Sequence, residues 1–454
     1  MNSKVLILGA GPGGLTAAYS LLKQGINVTI IEKEVIAGGL MRAVKHKDFM
    51  VDFGYKQLYN RIPEVHELWK EILVDDFLPY KPRTGVLYKG HILEREKTFR
   101  GLRRGMPYGL LISSFADMLK YNYHYRDAPI TTLEDYTYSK RGGKFTQIFS
   151  QGFDEKFKGL KWSQLPAPPS SKKKGFWNEF LSDANKSSQR QNNWFHPAKG
   201  TGQIIEILEK EIIRMGGKIC LGCEVKNFGY DSGKINSVTI NNQGIQTILK
   251  PQLLISSLPL QLMMPLMGIG FAPSNKELSF HRGVLMVYLF LNNSVAFPHS
   301  SIEVSCPRML MSRITKYSAY GGRMVPQDKD CVCIEYFTTV ATQLFEKSDQ
   351  ELYDLAIKEC EKSGLLNRAD CSDFLVIKNS NADPATSWAD YTIDPSRKYI
   401  YDHLAKFNNL YQINRTGTDK STYAGLMAAK AIASEDRQLF DSLTRPDTCA
   451  PWEV

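Results

Sequence analysis

Lys4-Val-Leu-Ile-Leu-Gly-Ala-Gly-Pro-Gly-Gly-Leu15 is the stretch whose reading decides the fold. Lys4 to Leu8 is a short apolar run of the kind that fills a fully buried parallel strand. It breaks at Gly9. From Gly14 to Gln24 the apolar residues Leu15, Ala18, Leu21 and Leu22 recur on one helical face, and Gly25 ends that helix. Asn27 to Ile31 reads as a second buried strand. Strand, glycine turn, helix and strand within about 30 residues make a βαβ unit. Within the turn, Gly9, Gly11 and Gly14 fit G-x-G-x-x-G, with Pro12 and Gly13 between them. Such a turn is tight, lets backbone approach a pyrophosphate and packs a helix closely on its strand. The helix start then offers free N–H groups to the phosphates. Glu32, followed by Lys33, stands at the end of the second strand, where a carboxylate accepts hydrogen bonds from ribose hydroxyls.

The next residues narrow the ligand. Gly38-Gly39-Leu40 turns the chain beside the dinucleotide, and Arg42 just beyond offers a fixed cation to phosphate or flavin oxygens. This arrangement resembles the FAD-binding signature of the amine oxidase and protoporphyrinogen oxidase superfamily, which includes phytoene-desaturase-like enzymes and UDP-galactopyranose mutase. The resemblance runs along most of the chain. Val51-Asp52-Phe53-Gly54 is similar to the Asp-x-Gly element near the flavin, followed here by Tyr55. Phe195 to Gly202 is similar to the loop that opens a second βαβ piece. Cys223-Glu224-Val225 resembles the strand end that meets adenine, and Ile255-Ser-Ser-Leu-Pro259, with Ser257, the strand returning to the cofactor. Arg415-Thr-Gly417 and the helix expected from Tyr423 to Ser434 resemble the C-terminal element that closes over the flavin.

The resemblance implies bound FAD, a small-molecule substrate and a helix N-terminus aimed at the flavin's pyrimidine edge, where its dipole stabilises an anionic reduced ring. It also marks departures. Where the sugar mutases commonly have Gly-His after the Asp-x-Gly element, this chain has Tyr55-Lys56. Lys56 could serve as a base, as a cation against flavin N5, or as a salt-bridged side chain. Between Arg415 and the expected helix, Thr418-Asp-Lys-Ser-Thr-Tyr423 replaces a longer segment of the relatives. Lys56, Asp419 and Lys420 are therefore the candidate catalytic residues.

Farther along, Gly202 to Met215 is amphipathic, Gly216-Gly217 closes it, and Lys218 to Leu221 reads as a strand. Further short strands are expected at 235–240, 246–249 and 253–255, and Asn409 to Ile413 is another. The uncharged segment Pro251–Asn275 carries Pro259, Pro265 and Pro273, so we read a buried strand followed by an apolar loop rather than a spanning helix. A charged helix is expected at Ser348–Gly364. The expected fold is α/β: a discontinuous Rossmann-like FAD-binding domain, of the glutathione-reductase-like βαβ kind, with an inserted α+β substrate domain. Residues 1–84, 196–279 and 401–454 would build the first, and 85–195 and 280–400 the second.

The chain has 454 residues, 43% hydrophobic and 23% charged, which excludes a disordered or disulfide-scaffold protein. Eight cysteines without a leader-like segment point to a cytoplasmic setting. The formal charge of +10 is concentrated. Lys81 to Arg126 holds ten basic and three acidic residues, and Lys140 to Arg190 eleven and four, net +7 each. An anionic or nucleotide-linked substrate, or a peripheral membrane contact, is the expected partner of this charge, rather than nucleic acid.

Other features compete with plainer readings. Cys220 and Cys223, taken as one strand, would face opposite ways, and no metal site is expected. Cys331 and Cys333 read as core. His281-Arg282 is more simply structural than catalytic. Trp388, Tyr391, Tyr399 and Tyr401 could line a planar substrate, and Lys172–Lys174 with Phe176 and Trp177 suits a surface loop. The expected activity is hydride abstraction from a small organic substrate to flavin N5. A nucleotide-sugar mutase is the alternative, and a non-catalytic flavin- or nicotinamide-binding module is a third reading. Gly11→Val is expected to yield folded, colourless protein, checked by flavin absorbance; stoichiometric flavin in that variant would place the cofactor elsewhere.

Overall fold

Each strand of a parallel sheet covered on both faces must send alternate side chains into two different cores. The opening strand does this. In a computed structural model describing residues 4–95, 106–168, 194–269, 281–339, 343–384, 403–415 and 417–441, Val5 and Ile7 enter one apolar cluster and Leu6 and Leu8 another. Val5–Leu8 is central in a five-stranded parallel sheet ordered Leu410–Gln412, Leu253–Ser256, Val5–Leu8, Val28–Ile31, Lys218–Cys220. The first helix (Pro12–Lys23), the helix Gly202–Arg214 and the C-terminal helix (Thr418–Ala433) cover one face. A three-stranded antiparallel sheet over Cys223–Asp231, Lys234–Asn242 and Ile245–Leu249 covers the other, with a helix at Leu260–Leu266.

Backbone contact replaces side-chain packing at the start of the first helix. A Cβ on Gly14 would collide with the Gly9 carbonyl, and one on Gly13 would come within 2.7 Å of the Ser421 carbonyl. A Cβ on Gly425 would collide with the Gly13 carbonyl. These glycines let two helices and a strand meet almost backbone to backbone.

A second sheet has seven strands, ordered Cys371–Pro384, His281–Leu291, Asp330–Thr339, Arg313–Lys316, Ser301–Val304, Thr84–Tyr88, His91–Glu94. Its pairs are antiparallel except Ser301–Val304 on Thr84–Tyr88. Along His281–Leu291, Leu285, Val287 and Leu289 pack with the helix Asp349–Lys362, and Met286, Tyr288 and Phe290 face the other way, onto Phe49, Val51 and Phe53. The hairpin Ala43–His46 and Phe49–Asp52 thereby lies between the seven-stranded sheet and the start of the Gly202–Arg214 helix. Outer helices at Tyr108–His124, Leu133–Arg141 and Gly152–Lys158 lie at the Thr84–Glu94 end.

Three local expectations are corrected. The apolar stretch after Ile255 is a helix, not a loop. Burial of Met263, Met264 and Met267 outweighs the one helical hydrogen bond that Pro265 cannot make. The C-terminal helix starts at Thr418 rather than Tyr423, because Gly417, at φ +90°, turns the chain into it, and Asp419 sits in the first turn, where a carboxylate is favoured. Cys220 and Cys223 lie on two successive strands in different sheets. Trp388, Tyr391, Tyr399, Tyr401 and Lys172–Trp177 lie outside the described residues.

Gly425→Ala is expected to push the first and C-terminal helices apart and cost about 1–3 kcal/mol, read as a lower urea midpoint. An unchanged midpoint would mean that this backbone contact is absent.

Candidate functional site

Helix starts leave N–H groups without helical acceptors, so the chain segments that meet at one are the natural place to look for a ligand. The space next to Gly11 at the start of the first helix is open, with nothing within 4 Å of where its Cβ would lie. Its neighbours Gly9, Gly13 and Gly14 have no such room. The Gly9 turn is locked from behind: Gly9 N–H donates to the Ile31 carbonyl at 2.8 Å, and Ser257 donates its N–H and its hydroxyl to Leu8, at 2.8 and 2.9 Å. The second turn is tied to the first, since Gly38, at φ +106°, donates to the Ala10 carbonyl at 2.8 Å. The result is an open cradle beside Gly11, built from rigid backbone, that fits the diphosphate of a dinucleotide.

The half-buried Glu32 carboxylate flanks this cradle. It accepts from Ala10 N–H at 2.7 Å and Glu34 N–H at 2.9 Å. The Glu32 backbone bonds to Cys220 and Cys223, which brings the turn before Val225 alongside. Val225 is buried against the sheet. Lys33 points outward and pairs with Glu34 at 3.7 Å, and Leu40 is exposed. The Arg42 guanidinium lies 4.3 Å from the Phe53 ring centroid, which joins the Gly38–Arg42 turn to the Asp52–Gly54 element.

That element is the most heavily braced part of the site. Asp52 is fully buried. Its carboxylate takes a 2.8 Å hydrogen bond from His196 Nε2, and Thr201 donates its N–H at 2.6 Å and its hydroxyl at 2.9 Å. Burial alone would raise the Asp52 pKa, but the facing His196 and these hydrogen bonds outweigh it and hold the group below its ordinary value. On the sheet side, the Tyr288 and Tyr317 hydroxyls both donate to the Asp52 carbonyl, at 3.0 and 2.9 Å, and Gly54 N–H donates to the Tyr288 hydroxyl at 2.8 Å. The Tyr320 hydroxyl donates to the Lys56 carbonyl at 3.1 Å. Burial pushes all three phenols well above their usual pKa, so they remain donors across the physiological range.

Beyond Gly54, the Tyr55 ring lies 4.5 Å from the Arg313 guanidinium, which donates to Glu335 at 2.6 Å. Burial alone would lower the Arg313 pKa, and Glu335 more than offsets that. The Glu335 carboxylate lies against Gly54, where a Cβ would come within 2.8 Å. Lys56 reaches back toward the Tyr55 carbonyl at 3.5 Å. Tyr59 is raised by burial, with a further contribution from the nearby Asp419 carboxylate.

Asp419 and Lys420 occupy the first turn of the C-terminal helix, Asp419 buried and Lys420 half-buried. Tyr423 is one turn farther in, its ring in the core. The Arg415 guanidinium donates to the Gln412 and Asn414 carbonyls at 3.3 and 2.7 Å. The structure thus brings together the Gly9–Gly14 turn, Gly38–Arg42, Asp52–Lys56 and the Gly417 helix start. Among the described residues no group of three or more His, Cys, Asp or Glu could hold a metal ion.

Tyr288, Tyr317, Arg313 and Glu335 are not singled out by the sequence, and His196 and Thr201 are read there only within the Phe195–Gly202 loop. For His196, Tyr288, Arg313 and Glu335 the signal is a polar or charged residue in a strand, as in Cys331-Val-Cys-Ile-Glu-Tyr-Phe337, but nothing local reveals what each one faces.

The sequence profile of the NAD(P)-binding Rossmann-like domain matches residues 7–72. Shorter stretches of the chain are similar to several flavoenzyme-type proteins. Protoporphyrinogen oxidase 2 of Arabidopsis thaliana is 36% identical over 71 residues, 16% of this chain and 14% of that one. The all-trans-zeta-carotene desaturase of Myxococcus xanthus is 50% identical over 40 residues, 9% and 8% of the two chains. A probable flavin-containing monoamine oxidase A of Dictyostelium discoideum is 30% identical over 103 residues, 21% and 23%. These matches span less than a quarter of each relative's length. Solved structures match along the whole chain. Reduced UDP-galactopyranose mutase superposes with a TM-score of 0.75 at 14% identity, covering 98% of this chain and 99% of the mutase. The two share a fold. Putrescine oxidase bound to putrescine gives 0.58 at 11% identity, covering 96% and 99%.

Asp52→Asn is expected to cost about 3 kcal/mol at neutral pH by breaking a buried pair. Because the folded Asp52 pKa is depressed, its stabilisation is present above the unfolded carboxylate value and fades as pH falls below about 4. The gap between wild type and variant in urea unfolding should therefore narrow in acid; a constant gap would contradict the ionised, paired carboxylate.

Proposed function

We propose that this chain is an FAD-dependent oxidoreductase of the amine oxidase and protoporphyrinogen oxidase type, removing a hydride from a small organic substrate. The observation that carries this reading is the open cradle beside Gly11, with Glu32 on one flank and the braced Asp52–Lys56 element and Gly417 helix start on the other. We assign FAD binding to Gly9, Gly11, Pro12, Gly13, Gly14, Glu32, Lys33, Gly38, Gly39, Leu40, Arg42, Gly54, Tyr55, Val225, Ser257, Arg415, Gly417 and Tyr423. The domain boundaries set out from the sequence are retained in this proposal.

Bound flavin would supply the ring that accepts the hydride. The chain supplies the surroundings. First-turn N–H groups of the first helix bind phosphate, and Glu32 accepts from ribose hydroxyls. The first turn of the C-terminal helix sets a partial positive charge at the mouth of the site. The Tyr288 and Tyr317 hydroxyls fix the backbone that presents Gly54, so Tyr55 and Lys56 are held without freedom to drift. Lys56, Asp419 and Lys420 are the groups proposed to hold or move a proton. Arg313 spends its charge on Glu335, so it shapes the wall beside Tyr55 and leaves the net basic excess of the Lys81–Arg126 and Lys140–Arg190 stretches to attract an anionic or nucleotide-linked substrate. A cytoplasmic setting suits the seven described cysteines, all unpaired thiols.

The likeness to UDP-galactopyranose mutase along 98% of the chain supports a second reading, a mutase acting on a nucleotide-linked sugar. Anaerobic mixing separates the two. An oxidase substrate is expected to bleach the yellow flavin band in a single turnover. A mutase would convert its sugar only after the protein has been reduced with dithionite, leaving the flavin reduced. Protein purified without any flavin absorbance would overturn both readings.

A further inference from the structure

Along the 17-residue helix Tyr108–His124, the exposed large apolar side chains are Tyr108, Ile112, Phe115, Leu119 and Tyr123, at 71%, 70%, 48%, 53% and 79% exposure. Their spacing of four, three, four and four residues lays them in one line down the helix. The opposite face is already committed. Leu110 and Leu111 pack on Val86, Leu93 and Phe149, Met118 is buried, and the Tyr121 ring meets Tyr138 edge-on at 5.1 Å. Asp117 accepts from Lys144 N–H at 2.7 Å. The stripe is therefore not a misplaced core face. It is a second apolar face on a helix whose first is satisfied, and isolated soluble domains rarely show one this long.

The charge around the stripe selects what covers it. The exposed residues of this helix include Lys120 but no carboxylate. Lys89, exposed at the tip of the Thr84–Glu94 hairpin, stands 5.4 Å from the Tyr88 ring, and Tyr88 packs on the same cluster as Leu110 and Leu111. Lys89 is thus held near the helix start. In sequence, the helix lies within the stretch Lys81–Arg126, which is net +7. A two-fold contact with another copy would set this face against itself and offer Lys120 no acid from the helix. Tyrosines at both ends with aliphatic and Phe side chains between them, beside lysines, suit the headgroup boundary of a bilayer, where amphipathic rings and lysine stems are at home.

We propose that the Tyr108–His124 helix is a docking surface for membranes containing anionic lipid, lying flat with its Tyr108–Ile112–Phe115–Leu119–Tyr123 line in the headgroup layer. No helix among the described residues is long and apolar enough to cross a membrane, so the contact is peripheral. This inference goes beyond the proposed chemistry and does not need it.

The test is co-sedimentation of the full-length protein with vesicles of phosphatidylcholine alone and of phosphatidylcholine mixed with phosphatidylglycerol. Wild type is expected to pellet with the mixed vesicles, less so as salt rises. The triple variant Ile112→Ser, Phe115→Ser, Leu119→Ser should lower the bound fraction about tenfold with its melting temperature and flavin content unchanged. Lys120→Glu should weaken binding to the mixed vesicles selectively. Wild type left in the supernatant with both vesicle types, or a triple variant that binds as wild type does, would overturn the proposal. So would a wild-type dimer in light scattering that the triple variant turns into monomer, since the stripe would then belong to a second copy.

Discussion

A single buried carboxylate holds the two halves of the site in register. Asp52 closes the Ala43–Asp52 hairpin, and its side chain binds the start of the Gly202–Arg214 helix through Thr201 while its own carbonyl is held by Tyr288 of the seven-stranded sheet and Tyr317 just beyond that sheet's Arg313–Lys316 strand. One residue thus reads out the position of three parts of the chain at once. An ionised group so deep is costly unless every lone pair has work, and here His196, Thr201 N–H and the Thr201 hydroxyl supply it. The glycine two residues on inherits this rigidity. Gly54 is fixed from above by Tyr288 and has Glu335 directly against it, which leaves its conformation, at φ +70°, little choice.

The open cradle beside Gly11 is rigid partly for a different reason. Besides the hydrogen bonds that tie its turns, it is held by close backbone approaches across glycines, so its shape depends on missing side chains. Backbone-to-backbone packing tolerates almost no added volume. Close backbone packing across glycines distinguishes the Gly9–Gly14 side, and a fully buried hydrogen-bonded charge the side facing the second sheet. The Arg42–Phe53 contact joins them.

How much of this is legible in the sequence follows from the range of each interaction. The opening βαβ unit is legible because its signals are local: an apolar run, a glycine turn and a helical period fall within about 30 residues. The strands at 218–220, 253–256 and 410–412 are legible as strands for the same reason, though their order in the sheet is not. Pro265 misleads, because its lost hydrogen bond is visible in the sequence and the burial of Met263, Met264 and Met267 is not. The C-terminal helix starts early because Gly417 turns into it, which an isolated Gly between Thr residues does not announce. Asp52 stands out as the charge at the end of an apolar strand. Its partner His196 lies 144 positions away, and nothing periodic connects them. Arg313 and Glu335 meet across neighbouring strands, a register fixed only when the sheet forms.

The parallel sheet also has a consequence for how the chain is made. The first strand emerges early in synthesis, yet one of its two neighbours is Leu253–Ser256, and the contact that locks Gly9 joins positions 249 apart. The outermost strand, Leu410–Gln412, and the helix after it are later still. A ribosome-bound chain would therefore hold an apolar strand with one unsatisfied edge for most of translation, the circumstance in which chaperone capture competes with aggregation. The pieces that surround the Gly11 cradle therefore assemble only when nearly the entire polypeptide is available, so any ligand held there would be a late arrival.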